Sequence, residues 1–268
     1  MLISALLGIA IGTIMGLTGA GGGIFAVPAL VMVLGIEQSS AGSIALLAVG
    51  AAAALGAFQG LRQGIVRYKA ALLLATVGSA SAPLGLYFSK LLSPQWLSLI
   101  FAAIMLLVAT RMFLSAKKGA NDNANVEIQI TGKVCNVSPD TGRFQWNIRT
   151  FSALSLVGLI AGLFTGMLGV GGGFIIVPAL AYLSNLRMQS IVATSLLIIA
   201  LLSIVTVSIA FSQGLQITPS IIIFVGAAMM GMLSGRSLSN RISQSKLQQV
   251  FALACVAVAA LMAARFLM

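Results

Sequence analysis

The chain contains itself twice, and few features restrict a fold as tightly. Gly-Leu-Thr-Gly-Ala-Gly-Gly-Gly-Ile-Phe-Ala-Val-Pro runs from Gly16 to Pro28, and Gly-Met-Leu-Gly-Val-Gly-Gly-Gly-Phe-Ile-Ile-Val-Pro from Gly166 to Pro178. The offset is 150 residues and it holds without a gap. It pairs Ala29-Leu30 with Ala179-Leu180, Gln63-Gly64 with Gln213-Gly214, Gly85 with Gly235, Ser89 with Ser239, Ser93 with Ser243 and Phe101-Ala102 with Phe251-Ala252. A duplication that keeps register this far is architectural, and in an apolar chain it points to a membrane transporter.

The composition makes the chain apolar enough for that reading. Hydrophobic residues are 59% and charged residues 7%, with a mean hydropathy of +1.10, whereas a soluble domain carries roughly 25% charged residues. Apolar runs recur near 41–61, 70–89, 95–114, 190–211, 217–235 and 247–267. Each approaches the ~20 residues a helix needs to cross hydrocarbon. The expected class is an all-α polytopic membrane protein. Hydrophobicity at the start continues into the first motif with no basic region before it. The opening segment therefore reads as part of the first repeat and not as a cleaved leader.

The net charge of +11 does not indicate nucleic acid, because the basic residues cluster between apolar runs, as orientation by loop charge requires. Arg62, Arg67 and Lys69 mark one loop as cytoplasmic, while its repeat partner at 212–219 is uncharged. The loop near Lys90 pairs with one carrying Arg236, Arg241 and Lys246, and the turn with Glu37 pairs with the turn carrying Arg187. Threading the basic loops inside leaves only Lys90 and Arg265 of the 15 basic residues outside. The two halves are thus expected to be inverted-topology repeats, since parallel halves would put one basic loop on the wrong side.

Inversion requires an odd number of crossings per half. Three runs per half are clear, so each glycine segment contributes an even number. It does so as a hairpin: arms of about 2–17 and 24–36 in the first half, and of about 151–167 and 174–184 in the second. Re-entrant loops and two tilted spans satisfy the parity equally. The expected organisation is a first membrane repeat over 1–115, a polar cytoplasmic linker over 116–149 and a second repeat over 150–268. The linker holds short alternating runs at 126–130 and 144–148 that fit either a solvated linker or a small β-hairpin.

Consecutive glycines weaken a helix, and unwound backbone at membrane depth survives only against protein or a water-filled cavity. The motifs therefore predict a break followed by short helices starting near Ile24 and Phe174. Such helix N-termini offer unsatisfied amides and partial positive charge, which bind anions without a charged side chain. The expected substrate contacts are Gly19, Gly21, Gly22, Gly23 and Ile24 with Gly169, Gly171, Gly172, Gly173 and Phe174, and Pro28 and Pro178 are structural parts of the motif. Close helix packing is the competing use of such glycines. The motif is not a phosphate loop of the Walker type, because no Lys-Ser or Lys-Thr follows.

Other polar candidates within apolar runs are Thr18, Gln59, Gln63, Ser79, Ser81, Thr165, Ser203, Thr206, Ser208 and Gln213, with Thr194-Ser195 as an adjacent hydroxyl pair. The pair either lines a substrate path or bonds back to the backbone, as most such hydroxyls do. All four acids, Glu37, Asp122, Glu127 and Asp140, fall in loops, and there is no histidine. That argues against a buried carboxylate relay and against a cation site. Cys135 and Cys255 have no disulfide or metal spacing. No constellation for catalysis, metal or cofactor is present in the sequence, so the chain reads as a non-enzyme.

The doubled Gly-x-Gly-Gly-Gly…Pro, on Gly19 to Pro28 and Gly169 to Pro178 with the Ala193-Thr194-Ser195 stretch, resembles the TauE/SafE (sulfite exporter, TSUP) family over about 1–115 and 150–268. The first half has Ile44-Ala45 where the second has Thr194-Ser195. The resemblance implies transport of a small sulfur-containing anion across the cytoplasmic (inner) membrane: sulfite, thiosulfate, sulfoacetate or a related organosulfur acid. Combined with the glycine motifs, it implies alternating access around two Gly-rich helix N-termini. An anion channel, or a carrier for a non-sulfur anion such as a carboxylate, is the alternative. The expected partners are that anion and the lipid bilayer, not nucleic acid, with the protein a monomer or a homodimer.

Overall fold

The computed structural model describes residues 2–18, 22–36, 38–93, 95–97, 99–100, 102–107, 109–110, 135, 146–212, 218–239, 256 and 259–260. Among these, eight principal helices follow in order: α1 (Leu2–Thr18), α2 (Gly22–Val33), α3 (Gln38–Arg62), α4 (Tyr68–Leu91), α5 (Ile148–Leu168), α6 (Gly173–Leu183), α7 (Met188–Ser212) and α8 (Pro219–Ser239). A further helical stretch covers Gln95–Leu107. Five helices, α3, α4, α5, α7 and α8, are long and apolar enough to cross a membrane, and α1, α2 and α6 are shorter. The molecule is an all-α polytopic membrane protein. The alternating run at 126–130, Cys255 and the final apolar run beyond 260 lie outside the described residues. Of the run at 144–148, Trp146 and Asn147 are described outside any helix or strand and Ile148 opens α5, so the described part of that run is not a strand.

Two helices occupy the middle. The membrane-length window of α3 is 61% buried and that of α7 67%, against 39% for α4 and 33% for α8. The outer pair correspondingly turns Leu72, Leu84, Ile222 and Met230 outward, which suits a lipid-facing surface. Gly50 of α3 lies against Ser203 of α7, and Gly60 lies against Ala193. As one chain advances along this contact the other retreats, so α3 and α7 run antiparallel.

The outer helices exchange partners between the halves. Gly8, Gly12 and Gly16 on one face of α1 meet Phe224, Ala228 and Met232 of α8. One repeat later, Gly158, Gly162 and Gly166 of α5 meet Leu74, Gly78 and Ala82 of α4. The positions on both helices are shifted by the same 150 residues as the sequence repeat. Both pairs ascend together, so α1 and α8 are parallel, as are α4 and α5. A Cβ on Gly12 or Gly162 would overlap the facing backbone. These glycines permit main-chain contact, which drives helix association where lipid offers no hydrophobic gain. Each half is therefore completed by the other.

The hairpins fold back on themselves in the same way. A Cβ at Gly22 would strike Met15 and the Ile11 carbonyl, and one at Gly172 would strike Thr165 and the Ala161 carbonyl. Met15 and Thr165 are repeat mates, as are Ile11 and Ala161. Pro28 lies inside α2 and Pro178 inside α6. Each deprives the carbonyl four residues earlier, Ile24 or Phe174, of an intrahelical donor.

Of the linker, the structure describes Cys135 and the residues 146–149 that lead into α5, and Cys135 is docked. Cys135 is fully buried and forms a parallel bridge with Ser184 at the end of α6. Its N–H donates to the Leu183 carbonyl at 3.0 Å. Burial pushes its thiol above the ordinary value of 9.0, partly offset by a hydrogen bond with Thr150. A buried thiol with a raised pKa is unreactive, so Cys135 is a packing residue.

Candidate functional site

The second glycine turn shows why the motif needs glycine. α5 ends at Gly169 with φ 71° and ψ 24°, its N–H bonded to the Thr165 carbonyl. Gly171 has φ 79°, and Gly172 caps α6 at φ 65°. Three left-handed residues within four positions cost an L-side chain roughly 1–2 kcal/mol each, and only glycine avoids this. The turn carries the chain from one helix end directly into the next helix start. α6 begins at Gly173 and α2 at Gly22, one and two residues before the positions expected from sequence. The break itself falls where the motif placed it.

The described parts of both turns are buried: residues 22–28 in the first hairpin and 165–174 in the second. They also meet. The Cβ position of Gly23 falls on the Val170 carbonyl and 3.3 Å from Val49. That of Gly171 lies 3.1 Å from Ile199 and 3.7 Å from Leu46 and Val49. Val49 and Ile199 are repeat mates on α3 and α7, so the two turns come together around the middle of the central helix pair. Gly42 of α3 closes the other side, its Cβ position 3.2 Å from Gly169.

The chemistry there is backbone chemistry. Ile175 and Ile176 both donate to the Gly172 carbonyl, at 3.0 and 3.1 Å. Helix geometry gives the preceding amides of Gly173 and Phe174 no intrahelical acceptor. All four acids lie outside the described residues, so among the described residues no carboxylate offsets the positive helix ends. The expected contacts Gly22, Gly23, Ile24, Gly169, Gly171, Gly172, Gly173 and Phe174 are thus gathered at one buried locus. Gly19 and Gly21, like Gln213, lie outside the described residues.

The hydroxyl candidates separate. Thr194 is fully buried, and its oxygen accepts from the Arg67 N–H at 3.0 Å, tying α7 to the loop between α3 and α4. Ser195 donates to the Val192 carbonyl at 2.8 Å. Thr18, Thr165, Thr206 and Ser208 bond back to Ile14, Ala161, Leu202 and Ile204, and Ser81 also reaches across to the Leu159 carbonyl at 2.9 Å. Ser203 is the exception. It is buried opposite Gly50, and its hydroxyl has no hydrogen-bond partner among the described residues.

A second feature lies at the end of the bundle near Arg62. Gln59, Gln63, Gln189, Arg236 and Ser237 line a cavity of about 360 Å³ with Ile65, Val192 and Leu233. Sequence reasoning put Arg236 in a loop, but it sits in the last turn of α8. Its guanidinium donates to the Gly56 carbonyl at 2.7 Å and to Gln63 Oε1 at 3.4 Å. The signal available in the sequence was position: Arg236 follows Met232 by one turn, on the face that packs against α3 and α1.

Membrane-length helices surrounding two broken hairpins that meet at a buried centre define a multi-pass membrane transporter. The chain belongs to the sulfite exporter TauE/SafE family, whose sequence profile matches residues 4–262. It is 30% identical over 253 residues to a "probable membrane transporter protein" of Xylella fastidiosa strain 9a5c, covering 93% of this chain and 89% of the relative. It is 31% identical over 208 residues to the "probable membrane transporter protein YunE" of Bacillus subtilis, covering 75% and 74% of the two chains. A second Bacillus subtilis relative, YjnA, is 24% identical over 261 residues. Its work is membrane transport of a small molecule, not catalysis.

Proposed function

We propose that the protein is a secondary transporter for a small sulfur-containing anion, such as sulfite, thiosulfate, sulfoacetate or a related organosulfur acid, in the inner membrane. The anion binds between the two glycine turns, and the halves alternate access to it. The observation that carries this is the meeting of Gly23 with Val170, and of Gly171 with Val49 and Ile199, at a buried locus between two repeat-related helix starts. Positive helix ends with no carboxylate beside them among the described residues favour an anion over a cation. Burial of both turns supports a carrier over an open pore, because substrate reaches such a locus only when packed helices move. The family's descriptor supplies the sulfur.

The antiparallel run of α3 and α7 and the partner exchange of α1 and α5 support inverted-topology halves. With loop charge as the guide, the end of the bundle carrying Arg62, Arg67, Lys69 and Arg236 faces the cytoplasm. The two repeats and the linker at 116–149 then act as separate parts, and the linker is pinned to the second hairpin through Cys135 and Ser184.

The test is uptake of labelled sulfite into proteoliposomes, with thiosulfate and sulfoacetate as competitors, at zero and imposed membrane potential. Saturable, competable flux is expected. Flux of carboxylates alone would replace the substrate class, and flux that rises linearly with concentration would replace the carrier by a channel.

A further inference from the structure

The two central helices cross in one register, which sets Gly50 of α3 against Ser203 of α7 and Gly60 against Ala193. The same register faces Ala53 with Ala200, both buried. Ala200 is the repeat mate of Gly50, and Ser203 is the repeat mate of Ala53. One crossing thus closes with two alanines, and its counterpart closes with a serine facing a glycine.

Ser203 is 3% exposed, and its hydroxyl has no hydrogen-bond partner among the described residues. On the same helix Thr206 and Ser208 donate back to the Leu202 and Ile204 carbonyls, at 2.9 and 2.7 Å, as most hydroxyls in apolar helices do. Burying a hydroxyl without a partner is destabilising, and alanine suffices at the counterpart crossing. Packing therefore gives no reason for an oxygen here. Gly50 makes the room for it, since a Cβ there would stand 2.8 Å from Ser203 Oγ and overlap its Cβ. A buried polar atom that the fold leaves over points to a partner from outside the chain.

Its depth says which partner. Leu46 lies one turn before Gly50, and Ile199 one turn before Ser203. Because α3 and α7 run antiparallel, Leu46 and Ile199 bracket the Gly50–Ser203 crossing from opposite ends. The Cβ position of Gly171 lies 3.7 and 3.1 Å from these two side chains. Val49, next to Gly50, is 3.3 Å from the Cβ position of Gly23. The crossing therefore sits at the depth of both glycine turns.

We infer that Ser203 is a substrate-binding residue, whose hydroxyl donates to the oxyanion held at the glycine turns once a shift of α7 against α3 uncovers it. The inference rests on the anion-transporter reading, and it adds one side-chain donor, from the second half alone, to a site otherwise built of backbone. A trapped water could take the same hydrogen bond, and the experiment separates the two.

Ser203→Ala is made in the full-length chain, together with Gly50→Ala/Ser203→Ala, which rebuilds the alanine pair of the counterpart crossing. Sulfite binding is measured by calorimetry in micelles, sulfite flux in proteoliposomes, and thermal melts with and without sulfite. Without sulfite both variants should melt at or above the parent. The Kd and KM for sulfite should rise about tenfold, as loss of one hydrogen bond to a charged group implies, and the protection that sulfite gives in the melts should shrink in step. Unchanged Kd and KM, against a parent that carries sulfite, would overturn the inference and leave the transporter standing. A lower melt for Ser203→Ala without sulfite would also overturn it, because the hydroxyl would then have a partner in the resting protein, such as water. A parent that neither binds nor carries any sulfur anion would end the transport reading, and the assignment of Ser203 with it.

Discussion

Gly171 and Gly172 are adjacent and both left-handed, yet alanine should affect them unequally. At Gly171 the three atoms nearest the new methyl all belong to side chains, Ile199 at 3.1 Å and Leu46 and Val49 at 3.7 Å, and these can shift by a few tenths of an ångström. The cost of Gly171→Ala is then mostly the backbone term for φ 79°, about 1–2 kcal/mol. At Gly172 the same backbone term applies, but the methyl falls 2.6 Å from Thr165 Oγ1 and 2.9 Å from the Ala161 carbonyl. The carbonyl belongs to α5 and cannot rotate away. Overpacking of this kind adds about 1–3 kcal/mol, for a total of about 2–5 kcal/mol. Thr165→Ala removes one of the two obstacles, so the double variant Thr165→Ala/Gly172→Ala should recover at least about 1 kcal/mol of the Gly172→Ala loss in a double-mutant cycle. The assay is equilibrium unfolding in mixed micelles, followed by intrinsic fluorescence. Equal destabilisation by the two single variants, or a cycle with no coupling, would refute the fold-back of the turn onto α5.

Thr194→Val leaves the Arg67 N–H without its acceptor, and it should lower stability by about 1–3 kcal/mol while leaving the KM for the transported anion unchanged. A changed KM at unchanged stability would place the hydroxyl in the substrate path. Ser203→Ala removes a buried hydroxyl that has no partner among the described residues, so thermal melts should show unchanged or slightly raised stability. A loss beyond about 1 kcal/mol would mean that the hydroxyl is satisfied in the membrane. The raised thiol pKa of Cys135 gives stability a pH dependence of definite sign. Below the ordinary value of 9.0 both states keep the proton and the stability is intact. As pH rises from there through the folded pKa, the unfolded chain ionises first and stability falls. Cys135→Ala should flatten that alkaline limb in unfolding titrations, and an unchanged limb would contradict the buried thiol.

The hairpin breaks were legible because glycine at 171 and 172 answers a local demand, a left-handed backbone, that no neighbouring element can alter. The long helices were legible for a similar reason, since an apolar run of membrane length has few other solutions. Partner choice was not. The pairing of α1 with α8 depends on Gly12 lying against Ala228, a fit between distant surfaces that neither segment states alone. The glycines of α1 and α5 also serve as packing seams, so the packing use and the turn use of glycine coexist in each motif. Arg236 was missed because a charge at the edge of an apolar run reads as loop, whereas the Gly56 carbonyl and a cavity allow it inside the helix. Thr194 was singled out for its hydroxyl neighbour, but its Arg67 contact spans 127 residues of sequence and could not be read from either end.

The central claim is that the backbone of the two glycine turns receives the anion. The most direct measurement is an amide titration of full-length protein labelled with 15N glycine in detergent micelles, with sulfite added while its binding is followed by calorimetry. The Gly22, Gly23 and Gly173 amides should shift along saturation curves that match the calorimetric affinity, while Gly226, on α8 with open space around it, stays still. Saturable binding with all three of those amides unmoved would contradict the account and put the anion elsewhere in the protein.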